Sequence, residues 1–185
     1  MPVNASNDNL GWLAPTFKLK DVSNDIMTLD QLKGNNGTVI AFICNHCPYV
    51  ISIAERLSFE AIELKKFSIN TIAIMSNDVT QYPQDSFENM KIFSKKYNFN
   101  FCYLYDETQK VAKSYGAVCT PDIFGFDGSL KLMYRGRIDS GVMNSNNSQI
   151  ERELYKAMLK IKNDGIGPTE QMNSFGCSIK WKNNE

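Results

Sequence analysis

Apolar residues along this chain alternate between short continuous runs and runs with helical spacing. The stretches "TVIAFI" (38–43) and "NTIAIMS" (70–76) are continuous and rich in β-branched residues. Both patterns predict strands that are buried on both faces. From Pro48 the apolar positions instead recur at threes and fours: Val50, Ile53, Leu57, Ala61 and Leu64. This spacing predicts a helix that crosses over between two parallel strands.

The segments that flank this unit predict further strands and helices. "TFKLKD" and "DIMTL" are joined by the polar turn "VSN", which predicts an N-terminal β-hairpin. Asp85 with Glu88 matches a capping box, so we expect a second helix to begin at Asp85. "FCYLY" (101–105) predicts a strand, and Asp106 with Gln109 predicts the start of a short helix.

The last third of the chain predicts a hairpin and a final helix. The short helix should end at Gly116, a glycine typical of helix C-termini. Asp127-Gly128 predicts a hairpin turn between "IFGF" and "LKLMYRG". Ser148 with Glu151 predicts the start of the final helix, whose inner positions are Ile150, Leu154, Met158 and Ile161. Together the elements predict an α/β fold, a mixed sheet with helices on both faces, in which chemistry collects beyond the carboxyl ends of the parallel strands.

Composition and charge narrow the class of protein. The 185 residues suit one domain, 1–185, with a core over about 14–163 and a C-terminal tail that docks on it. Twenty basic and twenty acidic residues give a formal net charge of +0, so we expect neither nucleic acid nor membrane as a partner. The start, "MPVNASNDNLGWLAP", lacks the regions of a secretory signal, which favours a cytoplasmic location. The five cysteines are then expected to be reduced thiols.

The motif "FICNHCPYV" carries the candidate chemistry. Cys47 lies where the strand ends and the helix begins, directly before Pro48. Unpaired N–H groups and the helix dipole at that position lower the pKa of a thiol. His46, the single histidine of the chain, is a neighbouring proton acceptor or cation, and Cys44 is close enough in sequence to form a disulfide. The pair is therefore a candidate redox centre, while plain buried cysteines and a metal site remain alternatives.

A second motif, "GAVCTPD" (116–122), places Thr120-Pro121 directly before a predicted strand. Proline has no N–H for a sheet ladder and is tolerated at a strand start. Cys119 precedes this pair in the sequence. The tail "NSFGCSIKWK" interleaves apolar residues with lysines, which predicts that it packs on the body of the protein and carries Cys177 there.

These features together resemble the thioredoxin fold. The stretch "PTFKLKDVSNDIMTLDQLKG" before "TVIAFI" is similar to the AhpC/TSA redoxin branch, which holds peroxiredoxins and TlpA-like thiol–disulfide oxidoreductases. "SNDVTQYPQDSFENM", "YLYDETQKVAKSYGAVCTPDIFGFD", "YRGRID" and "GCSIKWK" resemble a bacterial subfamily of thioredoxin-like redoxin-domain proteins. The resemblance covers residues 14–182. It implies a cis peptide bond before Pro121, in a loop that faces the active cysteine.

The chain departs from both branches of the family at the candidate site. Cys47 matches the thioredoxin nucleophile, but the usual resolving position is Val50, and the second thiol lies upstream at Cys44. Against peroxiredoxins, Cys44 replaces the active-site threonine. The peroxiredoxin arginine would fall near Pro121, where the chain has none. An efficient peroxidase is therefore less favoured than a thiol–disulfide exchanger.

The resemblance and the residues lead to one interpretation with two alternatives. We expect a thiol–disulfide oxidoreductase in which Cys47 attacks, Cys44 resolves and His46 tunes the thiolate. Its partners would be protein or small-molecule thiols and disulfides and an external electron donor, with no cofactor and no metal. The alternatives are a peroxiredoxin-like antioxidant peroxidase and a metal-binding or metallochaperone protein that uses the same thiols. The expected groove residues are Pro48, Thr120 and Pro121, and the candidate accessory thiols are Cys119 and Cys177.

Overall fold

The computed structural model describes residues 2–5, 10–141 and 150–183. The strands in these ranges are β1 (Pro2–Asn4), β2 (Lys18–Asp21), β3 (Ile26–Thr28), β4 (Gly37–Phe42), β5 (Ile69–Met75), β6 (Cys102–Tyr105), β7 (Cys119–Thr120), β8 (Asp122–Phe126), β9 (Leu132–Gly136) and β10 (Phe175–Ser178). The α-helices are α1 (Leu29–Leu32), α2 (Pro48–Lys65), α3 (Phe87–Lys96), α4 (Lys110–Tyr115) and α5 (Glu153–Asp164). A short 3₁₀ helix spans Pro83–Asp85.

A seven-stranded mixed sheet forms the centre of the molecule, in the order β3-β2-β6-β5-β4-β8-β9. β4, β5 and β6 are parallel, whereas β2, β3, β8 and β9 add antiparallel hairpins at the two sides. A second sheet, in the order β1-β10-β7, joins the two ends of the chain. The predicted mixed sheet, its N-terminal hairpin and the hairpin at Asp127-Gly128 are confirmed.

Strand β4 explains why helices cover both faces of the sheet. Its side chains point alternately to opposite faces, and all six of its residues are buried. Val39 and Ala41 belong to the core under α2, α3 and α5, while Ile40 and Phe42 belong to the core under α1 and α4. Burial of each large aliphatic or aromatic side chain stabilises the fold by roughly 1.5–3 kcal/mol. A strand that is buried at every position, with large apolar side chains on both faces, therefore requires a helix layer on each side.

Helix α2 follows the predicted apolar stripe. Its five predicted inner residues are all buried, whereas Ile51 and Phe59 on the outer face are exposed. Pro48 is its first residue and Cys47 its N-cap, as the sequence predicts. The missing N–H of proline costs nothing there, because the first N–H groups of a helix have no intrahelical acceptor.

Three predicted helix starts are wrong or lie outside the described residues. Helix α3 begins at Phe87, not at Asp85, because the hydroxyl of Ser86 caps it by accepting the Asn89 N–H, and the Asp85 carboxylate binds elsewhere. Helix α5 begins at Glu153, so Glu151 precedes it, and Ser148 lies outside the described residues. The short helix begins at Lys110 with Gln109 as its N-cap, not with Asp106, whose carboxylate accepts the Ser76 hydroxyl and the Ala112 N–H. It does end at Gly116, which adopts the left-handed conformation.

None of the helices within the described ranges is both long enough and apolar enough to cross a membrane.

Candidate active site

The cysteine motif lies at the carboxyl end of β4, where the chain turns into α2. Phe42 pairs with Asp122 in the antiparallel ladder between β4 and β8. Continuing this register by two residues brings Cys44 beside Thr120. The sulfur of Cys44 lies 3.3 Å from the Thr120 hydroxyl, and that of Cys47 lies 3.1 Å from the Thr120 carbonyl oxygen. Both sulfurs therefore meet at one residue of the facing loop.

The facing loop has the predicted conformation. The peptide bond between Thr120 and Pro121 is cis, and the Thr120 carbonyl contacts Cys47, so both parts of the prediction are confirmed. Thr120 and Pro121 are buried, whereas Pro48 is exposed at the helix start. Strand β10 covers this edge of the loop. Of the three expected groove residues, Pro121 also lines the cavity described below.

Cys47 has the environment of a thiolate. Its pKa is lowered to about 5, chiefly by hydrogen bonding from the Cys44 thiol, with further contributions from the N–H groups of Val50 and Cys177 and from the Cys177 thiol. Burial acts in the opposite direction. The Val50 N–H belongs to the first turn of α2, although it makes no capping hydrogen bond of ordinary geometry with the sulfur.

Cys44 is the protonated partner. Its interaction with the Cys47 thiolate raises its pKa well above the usual range, and burial and the Asp85 charge raise it further. Cys44 is 1% exposed and Cys47 is fully buried. At neutral pH the proton therefore lies on Cys44 and the negative charge on Cys47.

His46 is directed toward Asp85. Its Nδ1 lies 2.8 Å from a carboxylate oxygen of Asp85, and its ring stacks on Tyr82 at a centroid distance of 5.6 Å. Hydrogen bonding to Asp85 raises the pKa of the imidazole, and the nearby Cys47 charge raises it to a smaller extent. The imidazole therefore lies close to Cys47, while the contributions that lower the Cys47 pKa come chiefly from Cys44, Val50 and Cys177.

Asp85 holds the loop between the two cysteines, a role that the sequence analysis missed. Its fully buried carboxylate accepts the backbone N–H groups of Asn45 at 2.8 Å and His46 at 3.3 Å. It also accepts the Asn77 amide at 2.8 Å. An aspartate two residues before an apolar helical stripe is typical of a helix cap. The sequence pattern therefore did not indicate its contact with residues about 40 positions earlier.

Cys177 is the accessory thiol that the fold brings to the site. In the ladder between β10 and β7 it pairs with Thr120, and its pKa is raised to about 11, by burial first and then by the Cys47 thiolate. The prediction that the tail packs on the body is confirmed. Cys119 instead directs its sulfur to the Pro121 carbonyl at 3.4 Å, and burial raises the pKa of its thiol strongly.

A cavity of about 430 Å³ lies beside the site. Its walls include Tyr49, Ile53, Pro121, Arg137, Asp139 and Phe175. Arg137 is paired with Glu153 at 2.7 Å, and Asp139 with Arg56 at 2.6 Å, so the charges at its rim are neutralised. The cavity offers space for an uncharged or weakly polar group next to the Pro121 loop.

Cys44, His46 and Asp85 form a cluster that could hold a metal ion. Their ligand atoms all lie within 4.8 Å of one another. A soft divalent ion binds thiolate and imidazole ligands, but here Cys44 is the protonated cysteine and the Asp85 oxygens already accept four hydrogen bonds. These residues could bind a metal ion only if Cys44 lost its proton and Asp85 lost these hydrogen bonds.

The comparisons with known proteins agree with this fold. Residues 10–136 match the model of the AhpC/TSA family. An uncharacterized conserved protein from Geobacillus kaustophilus has 40% identity and a TM-score of 0.93, over 100% of this chain and 98% of that chain. The thioredoxin domain of a thiol–disulfide oxidoreductase from Bacteroides vulgatus has 17% identity and a TM-score of 0.58, over 68% of this chain and 86% of that one. The latter shows the fold alone, which is thioredoxin-like.

A curated relative also matches at moderate identity. Chloroplastic peroxiredoxin Q from Populus jackii is 29% identical over 119 residues, which are 63% of this chain and 50% of that protein. The chain thus spans about half the length of this relative.

Proposed function

Because this chain belongs to the AhpC/TSA family, we propose that it is a thiol–disulfide oxidoreductase whose redox pair is Cys44 and Cys47. The observation that carries the proposal is the unequal ionisation of the two sulfurs at Thr120. One cysteine has a pKa of about 5 and the other is protonated, with a pKa well above its usual range. Thiol–disulfide exchange needs a thiolate to attack and a second thiol to release the product.

Disulfide exchange at this pair takes two steps, and neither step needs a cofactor. The Cys47 thiolate attacks one sulfur of a substrate disulfide, forming a mixed disulfide and releasing the other half as a thiolate, which takes a proton. Cys44 then loses its proton and attacks the Cys47 sulfur. This second step forms the Cys44–Cys47 disulfide and releases the remaining substrate thiol. An external dithiol returns the pair to its reduced form by the reverse chemistry.

The charge on Cys47 also explains how Cys44 becomes reactive. The Cys47 thiolate is a cause of the raised Cys44 pKa, and this charge disappears once Cys47 is part of a mixed disulfide. Cys44 is then easier to deprotonate. The resolving thiol is therefore inactive before attack and becomes activated by it.

Single-cysteine variants test the proposal. We expect Cys47→Ser to abolish reduction of oxidised glutathione, and Cys44→Ser to retain attack at Cys47 but lose fast release. Cys102→Ser is the matched control, because Cys102 lies on β6 away from Thr120 and burial raises the pKa of its thiol to about 11. Full activity of Cys47→Ser would refute the proposal. A first attack by Cys44 would reverse the two roles.

A thiol peroxidase is the second candidate, favoured by the similarity to peroxiredoxin Q. In that reaction Cys47 would attack a hydroperoxide and Cys44 would reduce the resulting sulfenic acid. Arg135 of β9 is not a free counterpart of the peroxiredoxin active-site arginine. It is already paired with Asp122 at 2.8 Å and donates to the Gly116 carbonyl at 2.8 Å. Stoichiometric consumption of hydroperoxide at the expense of a dithiol would select this candidate over disulfide exchange.

Metal binding is a third candidate, which rests on the cluster of Cys44, His46 and Asp85. It predicts that the purified protein retains a metal ion, and that Asp85→Asn and Cys44→Ser each release it. Elemental analysis of the aerobically purified chain is the direct measurement. A metal-free protein with a reactive Cys47 would exclude this third candidate.

A further inference from the structure

Strand β10 lies across the Pro121 loop in a defined register. Cys177 pairs with Thr120 and Ser178 pairs with Cys119. The opposite edge of β10 pairs with β1, where Cys177 faces Pro2. Cys177 is thus carried by the middle strand of a three-stranded sheet, and its neighbour across the ladder is the residue that both Cys44 and Cys47 contact.

Gly176 allows this close approach. A Cβ at this position would lie 2.1 Å from the Thr120 carbonyl oxygen and 3.0 Å from the Pro121 nitrogen. Both obstacles are backbone atoms, which cannot turn aside as a side chain can. Only glycine lets β10 lie so close to the loop. The residue directly before Cys177 therefore sets the distance between that thiol and the site.

Contacts on both sides of Cys177 hold the strand in place. On one side, the Ser174 hydroxyl donates to the Gly136 carbonyl at 2.6 Å, and Phe175 packs edge to face on Tyr49. On the other side, the Ile179 N–H donates to the Val118 carbonyl at 3.1 Å. Lys180 continues the attachment through its N–H, which donates to the Asn77 side chain at 2.9 Å.

Cys177 packs against the buried cluster that contains Cys44 and Cys47. Its thiol and its N–H favour the thiolate form of Cys47. Cys177 is half-buried, whereas Cys44 is 1% exposed. The Cys47 sulfur therefore has one thiol partner on its deep side and another on its outer side.

We infer that Cys177 is a second resolving thiol, which attacks the Cys47 mixed disulfide from β10 and forms a Cys47–Cys177 disulfide. The inference rests on the proposed function and names a third reactive residue for it. In this step Cys177 gives up its proton, its sulfur bonds to the Cys47 sulfur, and the bond between Cys47 and the substrate breaks. The substrate leaves as a thiolate and takes a proton. An external dithiol then reduces the internal disulfide.

The electrostatics support this order of events. The negative charge of Cys47 is one cause of the raised Cys177 pKa. It disappears when Cys47 enters a mixed disulfide, so Cys177 becomes easier to ionise at that stage. The thiol is thus unreactive toward external disulfides and is activated next to the bond that it attacks.

Full-length variants that lack Cys44 test the inference with oxidised glutathione as the probe. In Cys44→Ser we expect the glutathione adduct on Cys47 to convert to a Cys47–Cys177 disulfide. In Cys44→Ser/Cys177→Ser the adduct should persist at least about tenfold longer, because an internal thiol has a high effective concentration. Acid quenching, alkylation and peptide mass spectrometry identify each species.

Cys44→Ser/Cys119→Ser is the matched control, since Cys119 is next to Thr120 but its sulfur is directed at the Pro121 carbonyl. It should behave as Cys44→Ser alone. Adducts of equal lifetime in Cys44→Ser and Cys44→Ser/Cys177→Ser, without a Cys47–Cys177 peptide, would overturn the inference and leave the proposed function standing. Absence of a Cys47 adduct in every variant would overturn both. Disulfide mapping of the oxidised wild-type chain by peptide mass spectrometry checks for the Cys47–Cys177 disulfide without any substitution.

Discussion

At the scale of single residues, the charge on Cys47 depends on donors from separate parts of the chain. Cys44 belongs to the preceding loop, the Val50 N–H to the first turn of α2, and Cys177 to β10. The largest contribution comes from the thiol three residues upstream. An N-cap cysteine alone benefits from the helix terminus, but here a second sulfur supplies the main stabilisation of the thiolate.

The pH dependence of the Cys47 thiolate is the first prediction at this scale. We expect its ultraviolet thiolate absorbance to appear with a midpoint near pH 5, since the pKa is lowered to about 5. Cys44→Ala should move this midpoint upward, because alanine cannot donate the main hydrogen bond. Subtracting the spectrum of Cys47→Ser isolates the signal. A midpoint near the ordinary value of about 8.5 in the wild-type chain would contradict the prediction.

The Asp85–His46 contact gives a second prediction. Asp85→Asn should lower the His46 pKa toward its ordinary value of about 6.5, because the main cause of its rise is lost. Since the folded-state pKa is raised, the stability from this pair is fully present below about pH 6.5 and is lost as pH rises through the folded-state value. As His46 is the single histidine, its NMR resonance reports the titration without ambiguity. Glu88→Gln, at an exposed position of α3, is the control and should leave the midpoint unchanged.

At the scale of elements, β10 both completes and covers the site. It supplies two of the groups that lower the Cys47 pKa and leaves Cys47 with no exposed surface. Any disulfide substrate therefore requires the strand to move or the cavity beside Pro121 to admit one of its groups. Access and ionisation of the nucleophile are thus controlled by the same strand.

Gly176→Ala tests this role of β10. The new Cβ would meet the Thr120 carbonyl oxygen at 2.1 Å, so the strand must shift. We expect a loss of about 1–3 kcal/mol in the free energy of unfolding, the range for overpacking of a close contact. The Cys47 pKa should rise, and its reaction with a bulky maleimide should become faster.

The control for Gly176→Ala is Ser178→Ala, two residues along the same strand, which removes only a hydroxyl that accepts from Lys180. It should change neither the pKa nor the reactivity. A wild-type-like Cys47 in Gly176→Ala would show that β10 does not control the site.

At the scale of the whole molecule, the strand registers set the distance between the Cys44–Cys47 motif and the paired residues Thr120 and Cys177. The ladder between β4 and β8 aligns Phe42 with Asp122, and the ladder between β7 and β10 aligns Thr120 with Cys177. Helices on both faces keep the central sheet rigid. The positions of the three thiols therefore depend on strand registers that are shared across the molecule.

The aromatic core behind the site gives the prediction at this scale. Phe124 of β8 is fully buried and contacts Phe42 edge to face at 5.7 Å and Tyr115 at 5.9 Å. Phe124→Ala should reduce the free energy of unfolding by about 3–5 kcal/mol through lost burial and the cavity left behind. Ile92→Ala, at a residue that is 64% exposed, should change it by about 0.5 kcal/mol or less. Urea denaturation measures both, and equal effects would contradict this account of the core.

Local pattern alone determined most of the elements and the centre of the site. Continuous apolar runs led to β4 and β5, helical spacing led to the buried stripe of α2, and Cys47 before Pro48 marked the helix start. These features depend on the spacing of side chains and on backbone geometry over one or two helical turns. Residues that are neighbours in the sequence are therefore enough to indicate them. The importance of Thr120-Pro121 came from its position before a strand together with the family resemblance.

The tertiary structure alone decided which distant groups complete the site. Asp85 looked like a helix cap, yet its carboxylate holds the backbone of Asn45 and His46. Cys177 looked like a tail cysteine, yet the register of β10 on β7 and the missing side chain of Gly176 bring its thiol to Cys47. Such contacts join residues about 40 and about 130 positions apart. Local period carries no information about them, because they depend on strand registers that only the folded chain establishes.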